Sequence, residues 1–389
     1  MAITGNSSKL LSTLLDELNK QFKMKDLGRL HYFLVIQIQY HENGMFLSQQ
    51  KYVEDLLAAT SMSTCAPVAT PLPQQLNKVP KQKVLFENPK YFRSLAGRLQ
   101  YLTLTRPDLQ FSVNYVCEKM HEPSVSDFHL RYIKGTTTMG VSFARQTDSK
   151  LRVYSDSDYS GCPSTSRSTG GFCTFLARNM ISWSSKKQQT MSKSSTEAEY
   201  RAMSEAASEI TWIVNLLQDL GIQLPATPEL NCDNLSAVYL TANPSFHART
   251  KHFVTHYHYV REQVAFGNLI VNHIPAHFQL ADIFTKSLPQ RPFEYYRAKL
   301  GVGIPPTPSL RGSVKNRAQN DTVLSTGSHC VKPIKLKACE QDTKKKPTTL
   351  QRSPATDNKA LAKETVQSTT VTLHNRFKML GPVDEEEAT

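Results

Sequence analysis

The pattern of apolar and polar residues changes at Leu151, and the new pattern leaves few folds open. Short segments with the two-residue period of strands come first, and a long segment with a helical period, 194–220, follows them. Strand-like and helical segments then alternate. The five strand-like segments are 151–156, 170–175, 180–185, 229–233 and 269–274. Three antiparallel strands followed by alternating helices and strands predict an α/β fold, a mixed five-stranded sheet flanked by helices.

Four carboxylates stand where these segments begin or end, namely Asp156, Glu197, Asp233 and Asp282. Each acid taken alone is more often structural, and an acid in a first helical turn contributes only about 0.3–1 kcal/mol through the helix dipole. Carboxylates drawn into one pocket repel, and one takes up a proton unless cations neutralise the group. Two divalent ions held by such acids can clamp the attacking and leaving oxygens of a phosphodiester cleavage. The four acids therefore predict a two-metal site.

The segments that contain these acids form a series of long motifs. They are Tyr154-Ser-Asp-Ser-Asp-Tyr-Ser-Gly161, Ser194-Ser-Thr-Glu-Ala-Glu-Tyr200, Cys232-Asp-Asn234 and Ala281-Asp-Ile-Phe-Thr-Lys286, with Ile181-Ser-Trp-Ser-Ser185 and Arg249-Thr-Lys-His252 among them. From about Lys150 to Val302 the chain closely resembles the ribonuclease H domain at the end of copia-type LTR-retrotransposon polyproteins, especially those of plants.

This resemblance implies a ribonuclease H-like fold and cleavage of the RNA strand of RNA/DNA hybrids. It implies that Asp156, Glu197, Asp233 and Asp282 are catalytic and hold two Mg²⁺ or Mn²⁺ ions, since oxygen ligands suit these ions better than zinc. His277, on the loop before Asp282, stands where such enzymes often have a mobile histidine that assists proton transfer. Otherwise it is an ordinary loop histidine.

Basic residues near the motifs are candidates for phosphate contacts. They are Lys186, Lys187, Lys193, Arg249, Lys251 and His252. The chain carries a net charge of +13 with a pI near 9.3, which favours a polyanionic partner such as an RNA/DNA hybrid. A zinc site is the competing interpretation of His252 and His256, which share a helical face, but no cysteine or His-Glu-x-x-His pattern completes it.

The upstream sequence resembles the preceding part of the same polyproteins. Phe22-Lys-Met-Lys-Asp-Leu-Gly28 and Tyr101-Leu-Thr-Leu-Thr-Arg-Pro-Asp108 are similar to the end of the reverse transcriptase and its connecting region. The family's Tyr-Val-Asp-Asp turn precedes the point that Met1 matches, so we expect no polymerase activity. Five regions are predicted: a truncated α+β remnant (1–70), a linker (71–87), a shortened connection (88–148), the ribonuclease H domain (149–302) and a disordered tail (303–389).

Composition limits the remaining possibilities. The seven cysteines contain no Cys-x-x-Cys pair, which favours free thiols in a reducing compartment. No apolar run approaches the length of a membrane span, and no secretory leader is recognisable. We therefore expect an intracellular protein, cytoplasmic or nuclear, with no membrane partner and no small-molecule cofactor. The sequence does not indicate an oligomeric state.

Two departures from the family pattern leave a second function open. Val35 stands where the family usually has glycine, and the chain is shorter by about five residues of a helix near His129. Such changes are typical of a degenerate genomic copy. The alternative to an active endonuclease is therefore a transposon relic that binds nucleic acid or has no activity.

Overall fold

The structure is a computed structural model of the chain. It describes residues 3–5, 7–23, 25–74, 88–120, 131–145, 148–162, 164–242 and 254–306. Most of the predicted linker and nearly all of the predicted tail lie outside these residues, and so does the site of the expected connection-helix deletion. In the described part of the chain, no helix is both long and apolar enough to cross a membrane.

The region before residue 145 combines helices with an antiparallel sheet, which agrees with the predicted α+β class. Its elements are α1 (Ser8–Gln21), β1 (Tyr32–Phe33), β2 (Ile36–His41), β3 (Gly44–Ser48), α2 (Gln50–Ala59), α3 (Pro89–Leu102), α4 (Gln110–Cys117), α5 (Arg131–Gly135) and β4 (Gly140–Ala144). The dipeptide Asn43-Gly44 is typical of a hairpin turn. A hairpin forms there, because β2 and β3 are antiparallel and His41 pairs with Gly44.

The mixed five-stranded sheet predicted after Leu151 is confirmed. Its strands are β5 (Leu151–Asp158), β6 (Thr169–Leu176), β7 (Asn179–Lys187), β8 (Glu229–Cys232) and β9 (Ile270–His273). They lie in the order β7-β6-β5-β8-β9. The first three are antiparallel, whereas β8 is parallel to both β5 and β9. This is the ribonuclease H-like arrangement that the order of elements predicts.

Helices cover the sheet as their apolar periods require. They are α6 (Ser195–Asp219), α7 (Leu235–Ala242), α8 (Val254–Ala265) and α9 (Gln290–Lys299). The long helix α6 buries Met203, Ala206 and Ile210 in one core cluster with Val153 of β5 and Leu230 of β8. Each fully buried aliphatic side chain contributes about 1.5–3 kcal/mol, so this cluster fixes the rotation of α6 against the central strands.

A second core cluster joins the ribonuclease H-like segment to the region before it. Its buried members come from α2, α3 and α5 on one side and from β6, β7 and α9 on the other, among them Leu99, Tyr132, Phe175 and Phe293. A last strand, β10 (Val302–Gly303), pairs with β4 and completes the N-terminal sheet. The predicted boundary at residue 302 thus falls inside β10, and the division into five regions stays a prediction.

A buried ionic network also joins the region before residue 145 to the ribonuclease H-like segment. The Arg106 guanidinium donates to both carboxylate oxygens of Asp108, at 2.9 and 2.7 Å, and to the Thr136 carbonyl oxygen at 2.8 Å. The Tyr132 hydroxyl donates to Asp108 at 2.7 Å and accepts from Arg297 of α9 at 3.0 Å. Arg106 and Asp108 are almost fully buried, so loss of one partner would leave an uncompensated charge, at a cost of about 3–5 kcal/mol.

The partly alternating segment 30–40 predicts a single strand, but a turn at Leu34 and Val35 divides it into β1 and β2. Both residues have positive φ angles, 48° and 54°, and separate β1 from β2. The left-handed conformation brings a Cβ atom too close to the following carbonyl oxygen, and a β-branched residue suffers most. Glycine, which the resemblance implies at position 35, adopts this conformation without that cost.

Val35→Gly should therefore stabilise the full-length protein. We expect a gain of about 1 kcal/mol in the free energy of unfolding, the relief of left-handed strain less the extra entropy of an unfolded glycine. Denaturant titration measures the change. Val68→Gly, at an exposed position whose φ is not positive, is the control and should destabilise slightly. A lower stability for Val35→Gly than for the unmodified protein would contradict the strain.

Candidate metal-binding site

Two of the predicted acids meet because β5 and β8 are parallel. Asp156 is the sixth residue of β5, and Asp233 directly follows β8. Parallel pairing joins Val153 to Leu230 and Tyr154 to Asn231, so both carboxylates lie at the carboxyl edge of the sheet. Crevices at this edge, outside the carboxyl ends of the strands, are where open α/β sheets bind their ligands.

Asp282 reaches the same edge from a tight turn. The sequence predicts a helix that begins at Ala281, and this expectation is wrong: residues Leu280–Phe284 form a 3₁₀ turn, and α9 begins only at Gln290, after Pro289. The turn packs closely against Gly171 of β6, where an added Cβ would lie 2.7 Å from the Phe284 Cβ. Glycine at this position therefore permits the approach that brings Asp282 to the edge.

Asp156, Asp233 and Asp282 together form a compact set of oxygen donors. Each offers a carboxylate oxygen within 4.8 Å of the others. Asp156 is 2% exposed, and the other two are half-buried. The structure thus brings together three of the four predicted ligands, and the distances between their oxygens suit a shared cation.

Glu197 is not part of this group. Its Oε1 pairs with Arg201 at 2.6 Å, one helical turn along α6, and its Oε2 accepts a hydrogen bond from the Lys193 backbone at 2.8 Å. It is nearly fully buried in these contacts. The expectation that Glu197 is a metal ligand is therefore corrected: its carboxylate is committed to the start of the helix.

Glu199 is the acid of α6 that faces the group. It is 7% exposed, and the Ser157 backbone and the charges of Asp156 and Asp233 act on its carboxylate. The sequence holds the signal that distinguishes the two glutamates. Glu199 lies one turn before the buried Met203, whereas Glu197 has a basic partner four residues later.

Burial and mutual repulsion raise the pKa values of the acids. Burial comes first for Glu199, and the charges of Asp156 and Asp233 add to it, so that its pKa is raised to about 9. Burial and the charge of Asp156 likewise raise the pKa of Asp282 to about 7 and that of Asp233 above its usual range. Without a cation, the cluster therefore holds protons at neutral pH.

Lys286 provides positive charge within the site. Its Nζ atom lies 2.9 Å from Asp282 Oδ1 and 3.5 Å from Asp156 Oδ2. The hydroxyl of the buried Thr285 donates to Asp156 as well. Both residues belong to the Ala281–Lys286 motif, but the motif alone did not predict a role in the site for either of them.

Gln279 connects the site to the strand beside it. Its fully buried amide donates to the Ser155 carbonyl oxygen at 2.9 Å and to Asp233 Oδ1 at 3.4 Å. The Gln279 side-chain oxygen accepts from the Ala281 backbone at 3.2 Å. The amide therefore fixes Asp233 and the start of the turn that carries Asp282 against β5.

The donor set favours a hard divalent cation. A second group, Glu199, Cys232 and Asp233, also has its ligand atoms within 4.8 Å of one another. Burial, with the charge of Glu199, raises the pKa of the Cys232 thiol well above its usual range. The two groups together offer four carboxylates and one thiol, and a donor set made mostly of carboxylate oxygens is the kind that Mg²⁺ or Mn²⁺ prefers.

The remaining acid nearby is Asp158, two residues beyond Asp156. Its carboxylate accepts a hydrogen bond from the Thr169 backbone. Burial raises its pKa to about 7, although that hydrogen bond opposes the rise. Since the carboxylate serves the pairing of β5 with β6, Asp158 has a structural role beside the cluster.

The predicted basic contacts divide into three groups. Lys186 and Lys193 are exposed. Lys187 is not free, because its Nζ pairs with Glu118 at 2.6 Å and donates to the Cys162 sulfur at 3.0 Å. Arg249, Lys251 and His252 lie outside the described residues.

His277 lies on the predicted loop, in the short 3₁₀ turn Ala276–Phe278. Its exposed ring packs against Phe278, with centroids 4.0 Å apart. His273, which the sequence did not single out, has its Nε2 atom 3.1 Å from the backbone carbonyl oxygen of Asp233. A role for His277 in proton transfer stays a prediction.

Comparisons with known proteins agree with the resemblance. Residues 1–74 match the family described as Reverse transcriptase (RNA-dependent DNA polymerase). The chain is 42% identical over 311 residues to the retrovirus-related Pol polyprotein from transposon RE2 of Arabidopsis thaliana, an alignment that covers 78% of this chain and 21% of that polyprotein. It is 50% identical over 215 residues to an uncharacterized mitochondrial protein of the same plant, covering 54% of this chain and 89% of that protein.

The chain thus spans about a fifth of the length of the polyproteins that it matches. Among solved structures, LC11-RNase H1 isolated from compost is 21% identical, with a TM-score of 0.28, and covers 35% of this chain and 93% of that chain. At this similarity the likeness does not bear on function. The fold is assigned from the order and direction of the strands.

Replacement of the two glutamates of α6 should have opposite effects on stability. A carboxyl group whose pKa is raised on folding binds more protons in the folded state, so stability falls as pH rises from its unfolded towards its folded pKa. In metal-free protein at about pH 8, Glu199→Gln should raise the free energy of unfolding by roughly 2 kcal/mol, with little gain at about pH 4.5. Glu197→Gln should lower it at about pH 8, because Arg201 loses its charged partner.

Denaturant titrations in the presence of EDTA measure both changes. Equal destabilisation by the two variants at about pH 8 would contradict the assignment of Glu199 to the cluster.

Proposed function

The chain is homologous to part of the copia-type, retrovirus-related Pol polyproteins of plant transposons, and from this premise we propose that it is a ribonuclease H-type endonuclease. It would cleave the RNA strand of an RNA/DNA hybrid by metal-dependent hydrolysis. One observation carries the proposal: Asp156, Asp233 and Asp282 have oxygens within 4.8 Å of one another at the carboxyl edge of the sheet. The buried Glu199 stands beside them.

The acids have different roles because they occupy different positions in the cluster. Asp156 is central, because its charge acts on Glu199, Asp233 and Asp282 alike. Glu199 takes the ligand role that the sequence pattern gave to Glu197. Bound divalent ions would activate the attacking water and stabilise the leaving oxygen. Gln279 and Thr285 hold the acids in place through their hydrogen bonds to Asp233 and Asp156.

An RNA/DNA hybrid is proposed as the substrate because of exposed positive charge as well as the similarity to the Pol polyproteins. Lys186 is the last residue but one of β7, Lys193 lies just before α6, and both residues are exposed. Phosphate contacts by such lysines provide affinity that depends on salt but not on sequence. The 2′-hydroxyl groups of the RNA strand would provide the choice of the strand to cut. The proposal does not include polymerisation.

Cleavage of a labelled hybrid by the full-length protein tests the proposal. We expect cuts in the RNA strand with Mg²⁺ or Mn²⁺ and none with EDTA. Asp156→Asn and Glu199→Gln should each reduce the rate by about 10²-fold or more, because each removes a charge from a site where electrostatic stabilisation is the largest contribution. Asp282→Asn should be milder, since water can partly replace this one ligand, which a short turn carries.

Glu197→Gln is the matched control, because it makes the same change two residues away. It should retain much of the activity at a temperature where the variant is folded. Equal loss in Glu197→Gln and Glu199→Gln would indicate misfolding rather than a metal site. Binding of the hybrid without cleavage by the unmodified protein, at any metal concentration, would favour the alternative of a nucleic-acid-binding relic.

A further inference from the structure

The ammonium group of Lys286 lies among the acids that would hold metal. It is 2.9 Å from Asp282 Oδ1 and 3.5 Å from Asp156 Oδ2. Lys286 follows Asp282 by four residues, so the backbone between them keeps the ammonium at this edge. Its partners are unusual for a lysine, because the side chain of Asp156 is only 3% exposed and that of Asp282 13%.

An ordinary surface pair does not describe this contact. Exposed ion pairs contribute little, since water already solvates both charges. Here the carboxylates lie largely out of water and repel one another, so a nearby positive charge has a stronger effect. Lys286 acts on the wider cluster too, where its charge opposes the raised pKa values of Glu199 and Asp233.

The two carboxylates that contact Lys286 are ones that a divalent ion would also use. Asp156 and Asp282 belong to the set whose oxygens lie within 4.8 Å of one another. A divalent ion bound to that set would stand within a few ångströms of Nζ, and the two positive charges would repel. The Lys286 side chain is 42% exposed and flexible, so its ammonium can move into water.

Building on the proposed metal site, we propose that Lys286 is a tethered cation that holds the acid cluster together in the absence of metal. Divalent metal must displace the ammonium from Asp156 and Asp282. Lys286 therefore sets the metal concentration at which the site fills. Thr285 differs in this respect, because its hydroxyl is buried and can stay bonded to Asp156 when the ammonium leaves.

Calorimetric titration of the full-length protein with Mn²⁺ tests the proposal without reference to cleavage. Lys286→Met keeps the length of the side chain and removes its charge, and we expect it to bind Mn²⁺ about tenfold more tightly, or better, than the unmodified protein. Lys286→Arg keeps the charge and should bind no more tightly. In thermal unfolding, Mn²⁺ should raise the melting temperature of Lys286→Met by more than that of the unmodified protein.

Lys150→Met is the control for net charge. Lys150 is exposed and precedes β5, about 20 Å from Asp156 along the strand. At that distance screening removes most of its effect, so Mn²⁺ affinity should change by less than about twofold. If Lys286→Met does not fold without metal, Asp282→Asn is compared with Asp282→Asn/Lys286→Met. That double variant removes one negative and one positive charge, and it should bind Mn²⁺ more tightly than Asp282→Asn alone.

Two results would overturn the proposal, and they are distinguishable. If the unmodified protein binds Mn²⁺ but Lys286→Met binds it equally or more weakly, Lys286 does not compete with metal, and the metal site itself survives. If neither protein binds Mn²⁺ at any concentration while both are folded, the proposed metal site fails, and the role of Lys286 fails with it.

Discussion

The repulsion among carboxylates at one edge of a sheet is the constraint on which the rest of this structure depends. Parallel pairing of β5 with β8 brings Asp156 beside Asp233, and neither strand can shift by one residue without turning its side chains to the other face. Burial then deprives the acids of water. Because little positive charge lies at this edge, the pKa values of Glu199 and Asp282 are raised. The ammonium of Lys286 offsets part of the negative charge.

The rest of the fold supports that edge from both faces of the sheet. The long helix α6 packs its apolar stripe on one face and so aims Glu199 at the acids. On the other face, the turn with Asp282 packs against Gly171, within a core that α2, α3 and α5 also build. The upstream region is therefore part of the support of the site, and the Arg106–Asp108 network ties it to α9 through Tyr132.

The sequence predicted the elements well because their apolar periods are local. The strands of the mixed sheet and the helix α6 begin and end close to the expected residues. The sequence failed where a choice depends on packing. Two acids two residues apart, Glu197 and Glu199, look alike in a motif. The signal that separates them, the apolar Met203 one turn after Glu199, can be interpreted only once the rotation of α6 on the sheet is known. The contacts of Lys286 with Asp156 and of Gln279 with Ser155 are tertiary, and the local sequence does not indicate them.

The central claim is that Asp156, Glu199, Asp233 and Asp282 form one metal-binding cluster at the carboxyl edge of the sheet. A crystal structure of the full-length protein with Mn²⁺, for which anomalous diffraction data are collected, tests it most directly. The account predicts anomalous peaks at this edge, with Asp156 and Glu199 among the ligands and Glu197 still paired with Arg201. Peaks coordinated by Glu197, or a metal-free edge at saturating Mn²⁺, would contradict it.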